Sequence, residues 1–182
     1  MSQTRAFIRR LEALDEGERS RLRRRAGMRL DETLPGFDLF TGLWWPLRQK
    51  NQFAPRRETS WLVAKLFGAC PVPNVEATDT YLSVILGRCE PNRDREHSRL
   101  FRYRFDTLLQ TSLSALEPHL RWSLSIIADA VHKGRTSGLH WAQLLDDLSA
   151  WDRDTGHRGR RGIRETWAEE YLNAAGYQLK GG

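Results

Sequence analysis

The stretch LSALEPHLRWSLSIIADAV, residues 113–131, decides the fold. Leu113, Leu116, Leu120, Leu124, Ile127 and Val131 recur every three or four positions, which lines them along one helix face. A strand would scatter the same residues over both of its faces. Ser114 and Glu117 read as an S-x-x-E helix start. Pro118 then falls in the first turn, where a missing N–H costs little.

The same period extends in both directions. Downstream, Gly134 to Gly138 reads as a loop, and Trp141, Leu144, Leu145, Leu148 and Trp151 make the next apolar face. Asp154 to Gly162 is a Gly/Arg-rich loop, and Ile163, Trp167, Tyr171 and Ala174 mark a last helix. Upstream, Phe101, Phe105, Leu108 and Leu109 form one stripe. Trp61 to Phe67 and Tyr81 to Leu86 read as short apolar helices, punctuated by Cys70-Pro71-Val72-Pro73-Asn74 and Glu90-Pro91-Asn92. Leu34-Pro35-Gly36 is a turn before the apolar run from Phe37 to Leu47. Phe7, Leu11 and Leu14 open the chain at i, i+4, i+7. Asp15 with Glu18 predicts a capping box, and the helix it starts is expected to reach Ala26 and end at Gly27. No segment alternates at period two, and no repeat is present. The expectation is an all-α compact bundle of about eight to nine helices, a single domain over 1–182. If it has two lobes, their seam falls near 71–79.

The 182 residues carry 29 basic against 23 acidic side chains, a formal charge of +6. Only Lys50, Lys65, Lys133 and Lys180 are lysines, so 25 of the basic residues are arginines. The charge is segregated. Residues 19–29 carry +6, residues 48–57 carry +4 and residues 153–164 carry +4, leaving −8 for the remainder. A polyanion-binding surface needs such clustering, because phosphate neutralisation depends on local rather than net charge. GC-rich coding sequence would inflate arginine, but it would not cluster it. No run of 18 apolar residues suggests a membrane span, and MSQTRAFIRR has no apolar signal core. Cys70 and Cys89 make neither a disulfide framework nor a zinc site, so the expected setting is the reduced cytoplasm.

Catalytic signals are weak. His97, His119, His132, His140 and His157 are scattered, with no H-E-x-x-H pairing. Phosphate-loop, G-x-S-x-G and G-x-G-x-x-G motifs are absent. Asp146-Asp147 raises metal-dependent nuclease chemistry, but the helix pattern turns both toward solvent, and a two-metal site needs further carboxylates. No cofactor is called for. Trp141, Trp151 and Trp167 fall on apolar stripes and are expected in the core. Trp44 and Trp45 point about 100° apart, so one of them should reach the surface. Arg95, Arg99, Arg102 and Asp106 form a strip opposite the Phe101/Phe105 stripe, and Arg104 flanks the apolar face. Arg158, Arg160, Arg161 and Arg164 crowd the start of the last helix, where the macrodipole disfavours cations, so a partner anion is expected there. Arg23 to Arg25 lie near a helix C-terminus, which favours them.

Taken in order, these pieces resemble the CasB family, the small subunit of the type I-E Cascade CRISPR complex. LDEGERSRLRRRAG (14–27) looks like the family's first basic helix, and TLPGFDLF (33–40) like its Pro-aromatic turn. WLVAKLF (61–67), FRYRFDTLL (101–109), LHWAQLLDDLSAW (139–151) and WAEEYL (167–172) are similar to its later signatures. The chain departs at Ala77-Thr78-Asp79-Thr80, where the family commonly shows Gly-Ser-x-Gly.

The resemblance implies a non-catalytic all-helical subunit, two copies of which sit in the complex beside the large and backbone subunits. It implies crRNA, target DNA and the displaced DNA strand as partners, no membrane, and a role in stabilising the R-loop. Carried over position by position, it implies a nucleic-acid face containing Arg24, Arg56 or Arg57, Arg104, Arg121 and the Arg160/Arg161/Arg164 group. Arg23 and Arg102 join them on charge grounds. The alternative is a helical DNA-binding transcriptional regulator, which needs a short Gly-containing turn before a base-reading helix. No segment clearly offers one.

Overall fold

The computed structural model describes residues 2–28, 41–46, 48–49, 55–91, 95–152 and 162–177. Among the described residues the regular structure is helical, and the single extended pairing is one isolated parallel bridge, Asn74 with Leu139. The chain divides into two compact units, Met1–Pro71 with Trp141–Ser149, and Val72–His140 with Ala150–Gly182.

In the first unit, α1 (Gln3–Glu12) starts on Ser2, whose Oγ accepts from the Arg5 amide at 3.3 Å. It buries Phe7, Ile8 and Leu11. The Asp15 capping box forms as the spacing predicts. Asp15 Oδ1 accepts from the Glu18 amide at 2.8 Å, and Glu18 Oε2 accepts from the Asp15 amide at 3.1 Å. The helix it opens, α2 (Glu16–Arg23), stops short of the predicted Ala26. Residues 24–27 turn instead, closing on Gly27 at φ +86°, a conformation glycine adopts without strain. Residues 41–46 are helical, with Leu43 buried, Trp44 half-buried and Trp45 49% exposed, the split that adjacent positions require. The Trp44 indole N–H donates to the Pro55 carbonyl at 2.9 Å.

The long α3 (Arg57–Ala69) buries Trp61, Val63, Ala64 and Leu66. It packs on α2 at Gly68, where a Cβ would stand 2.7 Å from Leu22 Cβ. The break at 70–74 falls where two prolines forbid a helix. The later helix α7 (Trp141–Ala150) contributes Trp141, Leu144, Leu145 and Leu148 to this core, and Phe67 meets Trp141 edge-on at 5.1 Å.

The second unit is built from α4 (Leu82–Cys89), α5 (Arg95–Gln110), α6 (Glu117–His132) and α8 (Ile163–Ala174). Helix α4 lies against α8 and α6. The α4–α8 approach is set by Gly87, because a Cβ there would meet the Tyr171 carbonyl at 2.4 Å. The decisive stripe of 113–131 is largely buried: Leu116, Leu120, Leu124 and Ile127 have no exposed surface. Phe105 stacks on Tyr171 at 4.2 Å, and Trp151 meets Trp167 edge-on at 4.9 Å.

Two local expectations need correction. Ser114 does not cap α6. It lies in a 3-10 turn, Leu113–Ala115, that runs into the helix. The amides of His119 and Leu120 bond to the Leu116 carbonyl, and Leu116 is the cap without a side-chain bond. Pro118 does occupy the first turn. Asp147 is not turned to solvent. It is buried and accepts from Gln143 Nε2 at 2.8 Å, whereas Asp146 is exposed and accepts from Thr4 Oγ1 at 3.3 Å. One turn of α7 thus satisfies an acid on the margin of its buried face.

Candidate nucleic-acid interface

The described arginines separate into those that hold the fold and those that do not. Arg102 belongs to the first kind. Its Nε stands 3.0 Å from Glu90 Oε1, and its guanidinium covers the Tyr177 ring at 5.2 Å. Glu90, just past α4, has a side chain with no exposed surface. It accepts from Ser98 Oγ, from Tyr171 Oη at 2.7 Å and from Tyr177 Oη at 2.8 Å. Burial pushes the Glu90 carboxyl up, but the hydroxyl bonds and the Arg102 charge outweigh it and hold it below the ordinary glutamate range. The cost falls on the phenols. Burial and the bond to Glu90 push Tyr171 far above the usual tyrosine range, and the bond to Glu90, followed by burial, raises Tyr177.

Arg164 is also engaged. Its Nη2 pairs with Asp152 Oδ1 at 2.9 Å, and its guanidinium lies over the Trp151 ring at 5.2 Å. Asp152 also accepts from the Leu113 amide at 3.1 Å. The anion expected at the start of the last helix is therefore supplied, for this arginine, by the chain itself. Arg160 and Arg161, like Arg158, lie outside the described residues.

In the first unit, Arg23 is tied down. Its Nε donates to the Gly68 carbonyl at 3.3 Å, and its Nη2 pairs with Glu16 at 3.2 Å. Arg24, at the C-cap of α2, is exposed and makes a 3.4 Å bond to the Ser20 carbonyl. Arg56 caps α3 with its backbone only and is exposed, and Arg57 is half-buried in the first turn.

The remaining pair stands in the second unit. Arg104 is exposed on α5, with its guanidinium 5.9 Å from the centroid of Trp122. Trp122 is half-buried against Phe101, ring centroids 5.2 Å apart. Arg121 precedes Trp122 on α6 and is exposed. Neither Arg104 nor Arg121 pairs with an acid among the described residues. Arg95 and Arg99 on α5 are likewise exposed and unpaired there. Arg95, Arg99 and Arg102 do lie away from the buried Phe101/Phe105 stripe, as their spacing predicts.

Among the described residues no group of three or more His, Cys, Asp or Glu side chains could hold a metal ion. No helix there is long and apolar enough to cross a membrane. Neither Cys70 nor Cys89 is in a disulfide, and burial raises the Cys89 thiol.

Residues 18–172 match the family model of the CRISPR-associated protein Cse2. The chain belongs to the Cse2 family. The fold agrees with solved Cse2-family structures. CasB from M. ruber has a TM-score of 0.70 at 22% identity, with 97% of this chain and 95% of that chain covered. A Cse2-family CRISPR-associated protein from Thermus thermophilus has a TM-score of 0.67 at 21% identity, covering 95% and 99%. No curated protein matches the sequence. Membership makes the chain a CRISPR-associated, Cascade-type component. It accounts for the order of the motifs from the first basic helix to WAEEYL, since the match spans them from residue 18 to residue 172. The tethering of Arg102, Arg23 and Arg164 was not visible in those motifs. Glu90 reads as loop punctuation beside Pro91, and nothing in its spacing pairs it with a residue twelve positions away.

Proposed function

We propose that this Cse2-family chain is a non-catalytic cytoplasmic subunit of a Cascade complex that holds nucleic-acid backbone and stabilises the R-loop. Its partners are crRNA, target DNA, the displaced strand, the large and backbone subunits, and a second copy of itself. One observation carries the reading. Arg104 and Arg121 stand exposed around Trp122 with no acid among the described residues to neutralise them, while Arg102 and Arg164 in the same unit are matched to internal carboxylates. A fold that satisfies Arg102 and Arg164 internally leaves these two for an external anion. Arg24 and Arg56 offer the same in the first unit. Arginine suits the task because its planar fork meets phosphate oxygens two at a time. Phosphate contacts position without reading sequence. R-loop formation exchanges duplexes of similar stability, so a few such contacts tip the balance.

The test is affinity against salt for the purified chain and for the assembled complex. For four phosphate contacts, log K should fall with log salt at a slope of roughly −3 to −4. A slope near zero defeats the reading. Assembly that fails when Arg104 and Arg121 are replaced would assign them to protein contacts instead.

A further inference from the structure

A groove of about 420 Å³ runs between α5 and α8. Its floor is apolar: Phe105, stacked on Tyr171, with Leu109, Ala168 and Leu172 beside it. Its rim is polar and aromatic. Tyr103 is 69% exposed, the most exposed large hydrophobic side chain described. Its phenol makes no hydrogen bond to any described residue, although the two neighbouring tyrosines, Tyr171 and Tyr177, both bond Glu90. Arg99 stands one turn before Tyr103 on the same face of α5, exposed and without an acid partner among the described residues. Asp106, also at the rim, is held by Gln110 Nε2 at 2.9 Å.

Tyr103 leaves a large aromatic ring in water at the edge of an apolar groove, a combination that suits a flat aromatic ligand. The volume falls in the range of small-ligand sites, about 300–1,000 Å³. Phosphate alone does not fit the chemistry, since it would leave the apolar floor of Phe105, Leu109, Ala168 and Leu172 uncovered. A nucleobase does fit: it is flat and neutral, its ring or exocyclic N–H groups can meet a carboxylate, and its attached phosphate is left for Arg99. Base stacking on aromatic rings tolerates any sequence, because every base has a π face.

We propose that this groove captures an unpaired base of the displaced DNA strand, with Tyr103 as its stacking face and Arg99 at the adjoining phosphate. The proposal rests on the R-loop reading above. Two of the three strands in an R-loop are paired with each other, so only the displaced strand presents free bases.

The experiment uses the full chain and a single-stranded oligo-dT carrying one 2-aminopurine, whose fluorescence is quenched by stacking. The wild-type protein should quench it on binding. Tyr103→Phe should behave as wild type, because the ring remains. Tyr103→Ala should lose the quench and bind the single strand roughly tenfold more weakly. Its affinity for a duplex of the same sequence should stay within twofold. The site is exposed, so unchanged thermal unfolding confirms that the variant is folded. Full quenching and affinity in Tyr103→Ala overturn the groove and leave the backbone reading standing. No salt-dependent binding by the wild type to either strand form overturns both. A concentration-dependent dimer abolished by Tyr103→Ala assigns the groove to a second copy and also overturns the proposal.

Discussion

The Arg102 guanidinium lies 3.0 Å from a Glu90 carboxylate that has no exposed surface. This relationship ties the middle of α5 to the end of α4, and Tyr171 and Tyr177 close the cluster from the C-terminal segment. Arg102 therefore helps to hold the fold. Arg102→Ala should lower stability by about 1–2 kcal/mol, because a charge-assisted bond is lost from a half-exposed cation while three hydroxyls still satisfy the carboxylate. Arg99→Ala, on the same helix, should change stability by less than about 0.5 kcal/mol. Denaturant unfolding of the two variants checks the contrast.

The same cluster sets a pH dependence. The folded Glu90 carboxyl titrates below its ordinary value of 4.5, so its contribution is complete above that pH and is lost as pH falls through the lower folded value. The phenols act at the other end. Tyr171 and Tyr177 are raised from 10.0, so their contribution is complete below pH 10 and is lost above it. Thermal unfolding should therefore show a plateau between these limits. The gap in Tm between wild type and Glu90→Gln should shrink as pH drops from about 5 toward about 3. A constant gap would mean that the charge on Glu90 does not stabilise the fold.

Arg164 shows where sequence reasoning reached the right residue by an argument that geometry changes. A cation in the first turn of α8 opposes the macrodipole and calls for an anion. Asp152 supplies that anion at 2.9 Å while also accepting from the Leu113 amide. Arg164→Ala should cost about 0.5–1 kcal/mol, and nucleic-acid affinity should change by less than twofold. A loss of affinity without a loss of stability would return Arg164 to the phosphate-binding group.

Apolar periodicity made the helices legible, because burial forces one face of each helix to be apolar whatever its partner. Leu116, Leu120, Leu124 and Ile127 are buried as their spacing requires, and so are Trp141, Trp151 and Trp167. Helix ends were less legible. The Asp15–Glu18 box is a local interaction and was readable, whereas Ser114 competes with a 3-10 turn whose amides are already bonded. Long-range polar pairs were the least legible. Nothing periodic links Glu90 to Tyr171 across 81 positions, so charge grounds placed Arg102 on the nucleic-acid face with no sign of its ion pair to Glu90. Tyr103 escaped notice for the opposite reason. It lies off the apolar stripe, and only its 69% exposure beside a groove distinguishes it.

Gly87 tests how closely α4 and α8 approach. Alanine in an open helix position gains up to about 1 kcal/mol over glycine. At Gly87 a Cβ would meet the Tyr171 carbonyl at 2.4 Å and Ala174 Cβ at 2.9 Å, and backbone cannot move aside cheaply. Gly87→Ala should be destabilising by about 1–3 kcal/mol. Gly42→Ala is the control: nothing lies within 4 Å of its Cβ position, so it should be neutral or stabilising. Unfolding of both variants under one set of conditions decides between local propensity and packing.

The exposed pair around Trp122 gives a quantitative test of backbone binding. Each lost phosphate contact removes about 0.9 from the magnitude of the salt slope on duplex DNA and about 0.7 on a single strand. Replacing Arg104 and Arg121 together by alanine should therefore lower the slope by roughly 1.4–1.8, and weaken binding equally on unrelated sequences. Both side chains are exposed, so the double variant should keep its fold, with at most about 0.5–1 kcal/mol lost from the Arg104–Trp122 contact. If affinity falls on one sequence and not on another, base reading rather than phosphate contact is the basis of binding, and a sequence-specific regulator becomes the better account. If the slope does not move, the two arginines meet no phosphate.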